Sequence, residues 1–264
     1  MTFPTHVIHG LSDRQHGNLS FLVGDDPSAV TANRRRFAEK VGIDAEAIVI
    51  SQLIHGTNIV CVNSSDVGRG ALDPSTAIPH ADGLLTNETN VPLLVIVADC
   101  AALSVYDPIK KVIGVVHVGW RGAAAGIIDE ILQKMSAEYG SQPVDIMCEI
   151  SPCLHQCCFE VGSEVKEQFV HKYGTKVEHF FIATDQENNY MFDFSGLIQE
   201  LLIRNGLQTQ NIEASSICTS SNTEKYFSYR AEKGKTGRFG SVMMLTPGNS
   251  DKNMSLDHQA ESSQ

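Results

Sequence analysis

No run of apolar residues in this chain approaches the roughly 20 needed for a membrane helix, and the longest one, Val91–Val97, breaks off before Asp99. Basic residues are scarce. With 20 Lys and Arg against 31 Asp and Glu, the net charge of −11 leaves no phosphate track for a nucleic acid. No secretory leader is read at Met1-Thr2-Phe3-Pro4. The 7 Cys are an odd number, which suits free thiols or metal thiolates in a reduced cytoplasm better than a disulfide framework. There is no fixed-period repeat, and H-E-x-x-H, G-x-S-x-G and G-x-G-x-x-G are all missing. H-x-H pairs are missing too, and 10 scattered His do not build the several positions of a multicopper oxidase.

What is present is a large apolar fraction, 42% of 264 residues, enough for one extensive core. The segment from Val95 to Gly122 organises the rest. It reads as two buried strands, Val91–Val97 and Val112–Val116, joined by a turn at Asp107-Pro108. Each strand ends in polar residues, Asp99-Cys100 after the first and His117 after the second. Further strands are expected at Thr5–Ile8, Ala47–Ile54, Asn58–Val62, Val144–Ile150, Phe180–Ala183, Ser215–Cys218 and Phe239–Thr246.

Helices are expected from Asp25-Asp26-Pro27 to Gly42, from Arg121 to Tyr139, from a Ser163 cap to Tyr173, and from a Ser195 cap to Asn205. Strands outnumber helices without strict alternation. The expected class is therefore α+β, with helices outside a mixed β core. Residues 1–246 form the expected domain. The polar stretch 247–264 lacks a pattern and is expected to be a disordered tail.

Three polar residues end buried strands: His55, Cys100 and His117. Two imidazoles and a thiolate suit zinc, and three protein ligands leave one tetrahedral position open for chemistry. A structural Cys beside hydrogen-bonded core His residues accounts for the same pattern. A ligating His needs an acceptor for its other nitrogen, and Asp82 and Asp99 are the nearest candidates. Gly119-Trp120-Arg121-Gly122 opens a helix and offers an anion site or, alternatively, close helix–sheet packing. The cluster Cys153, His155, Cys157, Cys158 misses the zinc deaminase spacing and reads as structural. Gly234-Lys235-Thr236 lacks the upstream glycine of a P-loop, because Tyr229 stands there. Arg230 and Arg238, with the aromatics Phe227 and Tyr229 beside them, are alternatives for holding an anionic or planar ligand.

Together these stretches resemble the laccase-domain family of the YfiH type, also called the polyphenol oxidase or purine nucleoside phosphorylase family. The blocks that carry the resemblance are NLSFLVGDDPSAVTANR, QLIHG, HADGLLTN, ADCAALSVYDP, GVVHVGWRG, CCFEVG and CTSSNTEKYFSYR with TGR. The sequence departs from the family pattern at Ser51, at Glu149-Ile150-Ser151-Pro152 and at Ser221.

The resemblance implies a single-domain four-layer α/β/β/α sandwich and a zinc ion on His55, Cys100 and His117, which would also be the catalytic residues. It implies phosphorolysis of adenosine, inosine, guanosine or methylthioadenosine to ribose 1-phosphate and a base, with adenosine deamination as a second reaction. Purine nucleoside and phosphate are then the partners, with Arg34, Gln52, Arg121, Arg230 and Arg238 as the expected substrate-binding residues. A monomer or weak homo-oligomer is expected. The alternatives are a Cys–His amide hydrolase acting on a small peptide or cell-wall precursor, and a polyphenol oxidase with copper in place of zinc.

Overall fold

Alternation along the central strands dictates the architecture. The structure, a computed structural model, describes residues 3–247. Its strands are β1 Val7–Leu11, β2 Val49–Ile50, β3 Ile59–Cys61, β4 Gly83–Thr86, β5 Leu93–Val97, β6 Ala101–Asp107 and β7 Val112–Val118. They continue with β8 Met147–Ile150, β9 Glu160–Gly162, β10 Phe181–Ala183, β11 Asn189–Phe192, β12 Ile212–Ala214 and β13 Phe239–Leu245. The helices are α1 Pro27–Val41, α2 Trp120–Ala125, α3 Ile127–Tyr139, α4 Ser163–Tyr173 and α5 Phe194–Arg204.

One sheet has the order β1-β13-β5-β2, a second the order β12-β8-β6-β7-β4-β3, and both mix parallel with antiparallel neighbours. A small third sheet has the order β10-β11-β9.

Because side chains alternate along a strand, each central strand feeds two cores. Leu93, Val95 and Val97 of β5 face Ala102, Tyr106, Ile113 and Val115 of the six-stranded sheet. Leu94 of β5 faces outward with Val242 onto Phe37 and Ala38 of α1. On the far side, Leu103, Val105, Val116 and Val118 pack under Ile127, Ile131, Phe169 and Leu201 of α3, α4 and α5. The result is the four-layer sandwich, helix over sheet over sheet over helices, in an α+β chain.

Local signals hold where caps are unambiguous. Asp26 caps α1 by accepting from the Ser28 N–H, Pro27 opens it, and Gly42 closes it in the left-handed conformation at φ 78°. Elsewhere the expectations need correction. The run Arg121–Tyr139 is two helices, because Gly126 takes φ 106° between them. Asp193, not Ser195, caps α5 by accepting from the Gly196 N–H. Gly162, not Ser163, precedes α4.

The central segment holds three strands rather than two. Val91–Val97 contributes β5 to the first sheet, and Ala98-Asp99-Cys100 crosses to the second. The Asp107-Pro108 turn then joins β6 to β7, with Asp107 accepting from the Ile109 and Lys110 N–H groups. Strand β4 adds to the expected strands, and Ala47–Ile54 shrinks to the two residues of β2. The expected tail from residue 247 onward lies almost wholly outside the described residues.

The layer between the sheets also carries polar groups. Ser104 and Ser241 join the two sheets through their hydroxyls at 2.9 Å. Nearby, His9 places Nε2 3.2 Å from the Ser241 hydroxyl and Nδ1 3.6 Å from a Glu149 oxygen. Burial pushes the His9 pKa down to about 4 and raises that of Glu149.

His9 is therefore neutral in the fold while an unfolded His at its ordinary 6.5 takes up a proton, so stability falls as pH drops from 6.5 toward 4. Glu149 acts with the opposite sign between its ordinary and raised values. Urea unfolding at pH 7 and pH 5 is expected to show that His9→Gln removes about 1–2 kcal/mol of the pH-dependent loss. An equal loss in both proteins would contradict this.

Candidate functional site

The two sheets end together at one edge of the sandwich. There, Phe239 of β13 sits opposite Val97 of β5, and Ala101 of β6 sits opposite Val118 of β7. The chain leaves these strands through Cys100, His117 and Gly119. A cavity of about 500 Å³ opens at that mouth. Its polar lining includes His55, Cys100, His117, Arg121, Arg230 and Arg238. Trp120, Leu154, Phe159, Phe194 and Tyr229 supply much of the apolar wall.

His117 follows the inter-sheet parity of Ile113 and Val115, so its ring points between the layers. Its Nδ1 donates to Asp82 at 2.9 Å, and its backbone N–H donates to the Asp82 carbonyl at 2.7 Å. The Asp82 carboxylate, fully buried, also accepts from the N–H groups of Ile54, His55 and Gly56 at 3.3, 2.9 and 2.7 Å. Burial alone would raise the Asp82 pKa, but these donors and the His117 charge bring it below its ordinary value. The same contacts hold His55 at φ 58°, a left-handed conformation that costs a non-glycine residue of the order of 1 kcal/mol. The His55 and His117 rings consequently meet edge to face, with centroids 4.8 Å apart.

Cys100 flanks the other side of His117. Gly119 has no room for a side chain here: a Cβ on it would lie 3.3 Å from the Cys100 sulfur and 3.5 Å from His117 Nε2. Burial opposes a charge on His117, but Asp82 and Cys100 outweigh it and push its pKa up to about 9. Burial and the neighbouring His117 move His55 the other way, below its ordinary value. The donor chemistry, two imidazoles and a thiol with one imidazole oriented by a carboxylate, fits a metal that prefers nitrogen and sulfur. Among the described residues, the three-residue group whose ligand atoms all lie within 4.8 Å of one another is Cys157, Cys158 and Cys218. The His55, Cys100 and His117 set is more open than that.

Asp99 does a different job from Asp82. At φ 78° it turns the chain between the sheets, accepting from the Thr219 hydroxyl and from the Arg230 N–H, each at 2.6 Å. That N–H contact draws the Arg230 loop to the cavity, where its guanidinium donates to the Glu160 carbonyl at 3.1 Å. Arg238 is drawn in by Asn18, which accepts its N–H at 2.8 Å. Burial lowers the Arg238 pKa below its ordinary value. Arg121 lies over the Trp120 ring at 4.3 Å. Its helix, α2, is only six residues long, so the arginines, more than a helix dipole, make this mouth attractive to anions.

Arg34 and Gln52 are not brought to the cavity. Arg34 is buried, and its guanidinium donates to the carbonyls of Leu19, Gly70 and Ala71, tying α1 to two loops. Gln52 is exposed, and its backbone bonds to Ile78 and Ala81. Conversely, the wall residues Leu154, Phe159 and Phe194 were not anticipated. Phe159 stood in the CCFEVG block, but nothing in that sequence says which way its ring points.

Replacing Asp82 with Ala would leave three N–H groups and an imidazole without their acceptor. Breaking such a buried charged junction costs about 3–5 kcal/mol. Chemical unfolding of Asp82→Ala is expected to show a loss of that size, and a change under 1 kcal/mol would contradict the assigned role.

The family model described as multi-copper polyphenol oxidoreductase laccase matches residues 4–246. Among curated relatives, purine nucleoside phosphorylase YlmD of Bacillus subtilis is 32% identical over 86% of this chain and 81% of its own length. The protein of the same name from Geobacillus stearothermophilus is 33% identical over 84% and 80%. Among solved structures, hypothetical protein YfiH of Bacillus licheniformis superposes with a TM-score of 0.88 at 30% identity, covering 91% of this chain and 93% of that one. YlmD of Geobacillus stearothermophilus superposes with a TM-score of 0.84 at 29% identity, covering 92% and 93%. No helix among the described residues is long and apolar enough to cross a membrane.

Proposed function

The chain belongs to the multi-copper polyphenol oxidoreductase laccase family, and from that premise we propose that it is a zinc-dependent purine nucleoside phosphorylase. The observation that carries this is a nucleoside-sized cavity, about 500 Å³, with aromatic walls, three arginines at its rim and a nitrogen–sulfur donor set in its lining. The names of the relatives support the same reaction class.

Phosphorolysis forms a bond between a phosphate oxygen and the anomeric carbon of the ribose. It breaks the bond from that carbon to the base nitrogen, which leaves with the electron pair. Arg121, Arg230 and Arg238 would hold phosphate by charge-assisted hydrogen bonds and orient it toward the sugar. Phe159, Tyr229 and Trp120 offer faces for the flat base. The apolar walls exclude bulk water that would compete with phosphate. His55, Cys100 and His117 would hold the zinc, which supplies Lewis acidity. Asp82 keeps His117 Nδ1 engaged, so that Nε2 is the atom left for the site.

Deamination gains less support, because it needs a carboxylate or imidazole free to shuttle protons. Among the described residues, Asp99 is the one carboxylate lining the cavity, and both its oxygens accept protein hydrogen bonds. Copper oxidation gains little either, since among the described residues two imidazoles line the cavity. A Cys100–His117 hydrolase has one observation in its favour, the sulfur lying beside the imidazole.

Base release from adenosine, inosine, guanosine and methylthioadenosine, measured with and without inorganic phosphate, tests the proposal. Turnover is expected to require phosphate and to vanish in Cys100→Ala. Arg238→Ala is expected to raise the KM for phosphate about tenfold or more, the equivalent of one charge-assisted bond. Undiminished base release by a metal-free Cys100→Ala protein would overturn the assignment. Rapid alkylation of Cys100 by iodoacetamide in chelator-treated and untreated protein alike would point to the hydrolase.

A further inference from the structure

The sulfur atoms of Cys157, Cys158 and Cys218 lie within 4.8 Å of one another, and those of Cys157 and Cys158 are 3.5 Å apart. The reaction proposed above uses none of them. Cys157 is exposed, Cys158 half-buried and Cys218 buried, so the group faces outward from its deepest member. Cys153, by contrast, is the small buried hydrophobe expected from the sequence, fully enclosed and bridged to Cys218 through the backbone.

A serine hydroxyl borders the group. The Ser221 hydroxyl lies 3.1 Å from the Cys158 sulfur and 3.7 Å from that of Cys157. Thiolate is the form that ligates a metal. Three thiolates around one tetrahedral ion, at Zn–S distances near 2.3 Å, stand about 3.8 Å from each other. From spacings of 3.5 to at most 4.8 Å, no pair of sulfurs has to shift by more than about 1 Å to reach that value.

We propose that Cys157, Cys158 and Cys218 form a second metal site, separate from the catalytic cavity, for a single thiophilic ion of the zinc type. The fourth position opens to water on the Cys157 side. Binding displaces the thiol protons to solvent and changes no oxidation state.

The location gives the ion a task. The turn carrying Cys157 and Cys158 lies between Leu154 and Phe159, both of which line the cavity. The segment carrying Cys218 leads into Thr219, which donates to Asp99, and onward to Arg230, whose side chain reaches the Cys158 and Glu160 carbonyls. One ion would therefore clamp together two loops that shape the Phe159 and Arg230 wall.

The two sites are separated by variants. Metal-free, fully reduced protein is titrated with Zn2+, and bound ions are counted by native mass spectrometry. Cys100→Ala is expected to retain one ion, and Cys100→Ala combined with Cys157→Ser and Cys158→Ser to retain none. Titrating Cys100→Ala with Co2+ is expected to give the near-ultraviolet charge-transfer band of several thiolates, and Cys157→Ser alone to weaken it. Because Cys157 is exposed, its replacement should leave the urea midpoint of the metal-free protein unchanged.

Equal ion counts with and without Cys157 and Cys158 would overturn the proposal. So would a Cys100→Ala protein that binds no ion or shows no thiolate band. These outcomes are independent of nucleoside turnover, so failure here and failure of the phosphorylase assignment can be told apart.

Discussion

Four hydrogen-bond donors converge on the buried Asp82 carboxylate, and the candidate site depends on that junction. Three come from consecutive backbone N–H groups of an exposed turn, and the fourth from a strand-borne imidazole. A carboxylate with no exposure tolerates its charge only when it is so surrounded. The donors compensate that burial. In doing so, they fix the left-handed His55 turn against the end of β7. Without the acceptor, the hydrogen bonds that join His55 to His117 through Asp82 are lost. The Gly122–Gly56 contact shows how close the fit is: a Cβ on Gly122 would stand 2.7 Å from the Gly56 carbonyl oxygen, so α2 meets this turn through bare backbone.

Asp99 makes a second junction of the same kind at the crossing between the sheets. It links Cys100 to the loops bearing Thr219 and Arg230. The two carboxylates thus divide the work: Asp82 arranges the donors on one side of the cavity, and Asp99 draws a basic, aromatic loop over the other. This explains how a chain with a net charge of −11 presents three arginines at one mouth. The Asp82 and Asp99 carboxylates are occupied by hydrogen bonds within the fold, and the guanidinium groups of Arg230 and Arg238 donate to backbone carbonyls, which carry no charge to cancel theirs.

Much of this was legible in the sequence where physics is local. The Asp26 cap, the αL Gly42 and the apolar stripe Ile127, Ile131, Met135 follow from short-range rules. So did the idea that buried runs ending in Cys100 and His117 deliver polar groups to one edge. What was not legible was long-range. Whether Val91–Val97 pairs with its sequence neighbour or with β13, 142 residues beyond Val97 at Phe239, is a question of topology that periodicity does not address. Arg34 is expected at the substrate, yet its guanidinium reaches three carbonyls inside the fold. Asp82 and Asp99 were equal candidates as the histidine's partner, and only the three-dimensional arrangement assigns Asp82 to His117 and Asp99 to the Arg230 loop.

The junction itself is open to direct measurement by amide hydrogen exchange, followed residue by residue in the native protein by NMR. Ile54, His55 and Gly56 lie in a turn outside any strand or helix, where amides ordinarily exchange quickly. If their N–H groups are held by the buried carboxylate, they are expected to be protected as strongly as those of the central strands. Exchange at the rate of a free surface loop would contradict the account, because the turn that presents His55 would then have nothing to fix it.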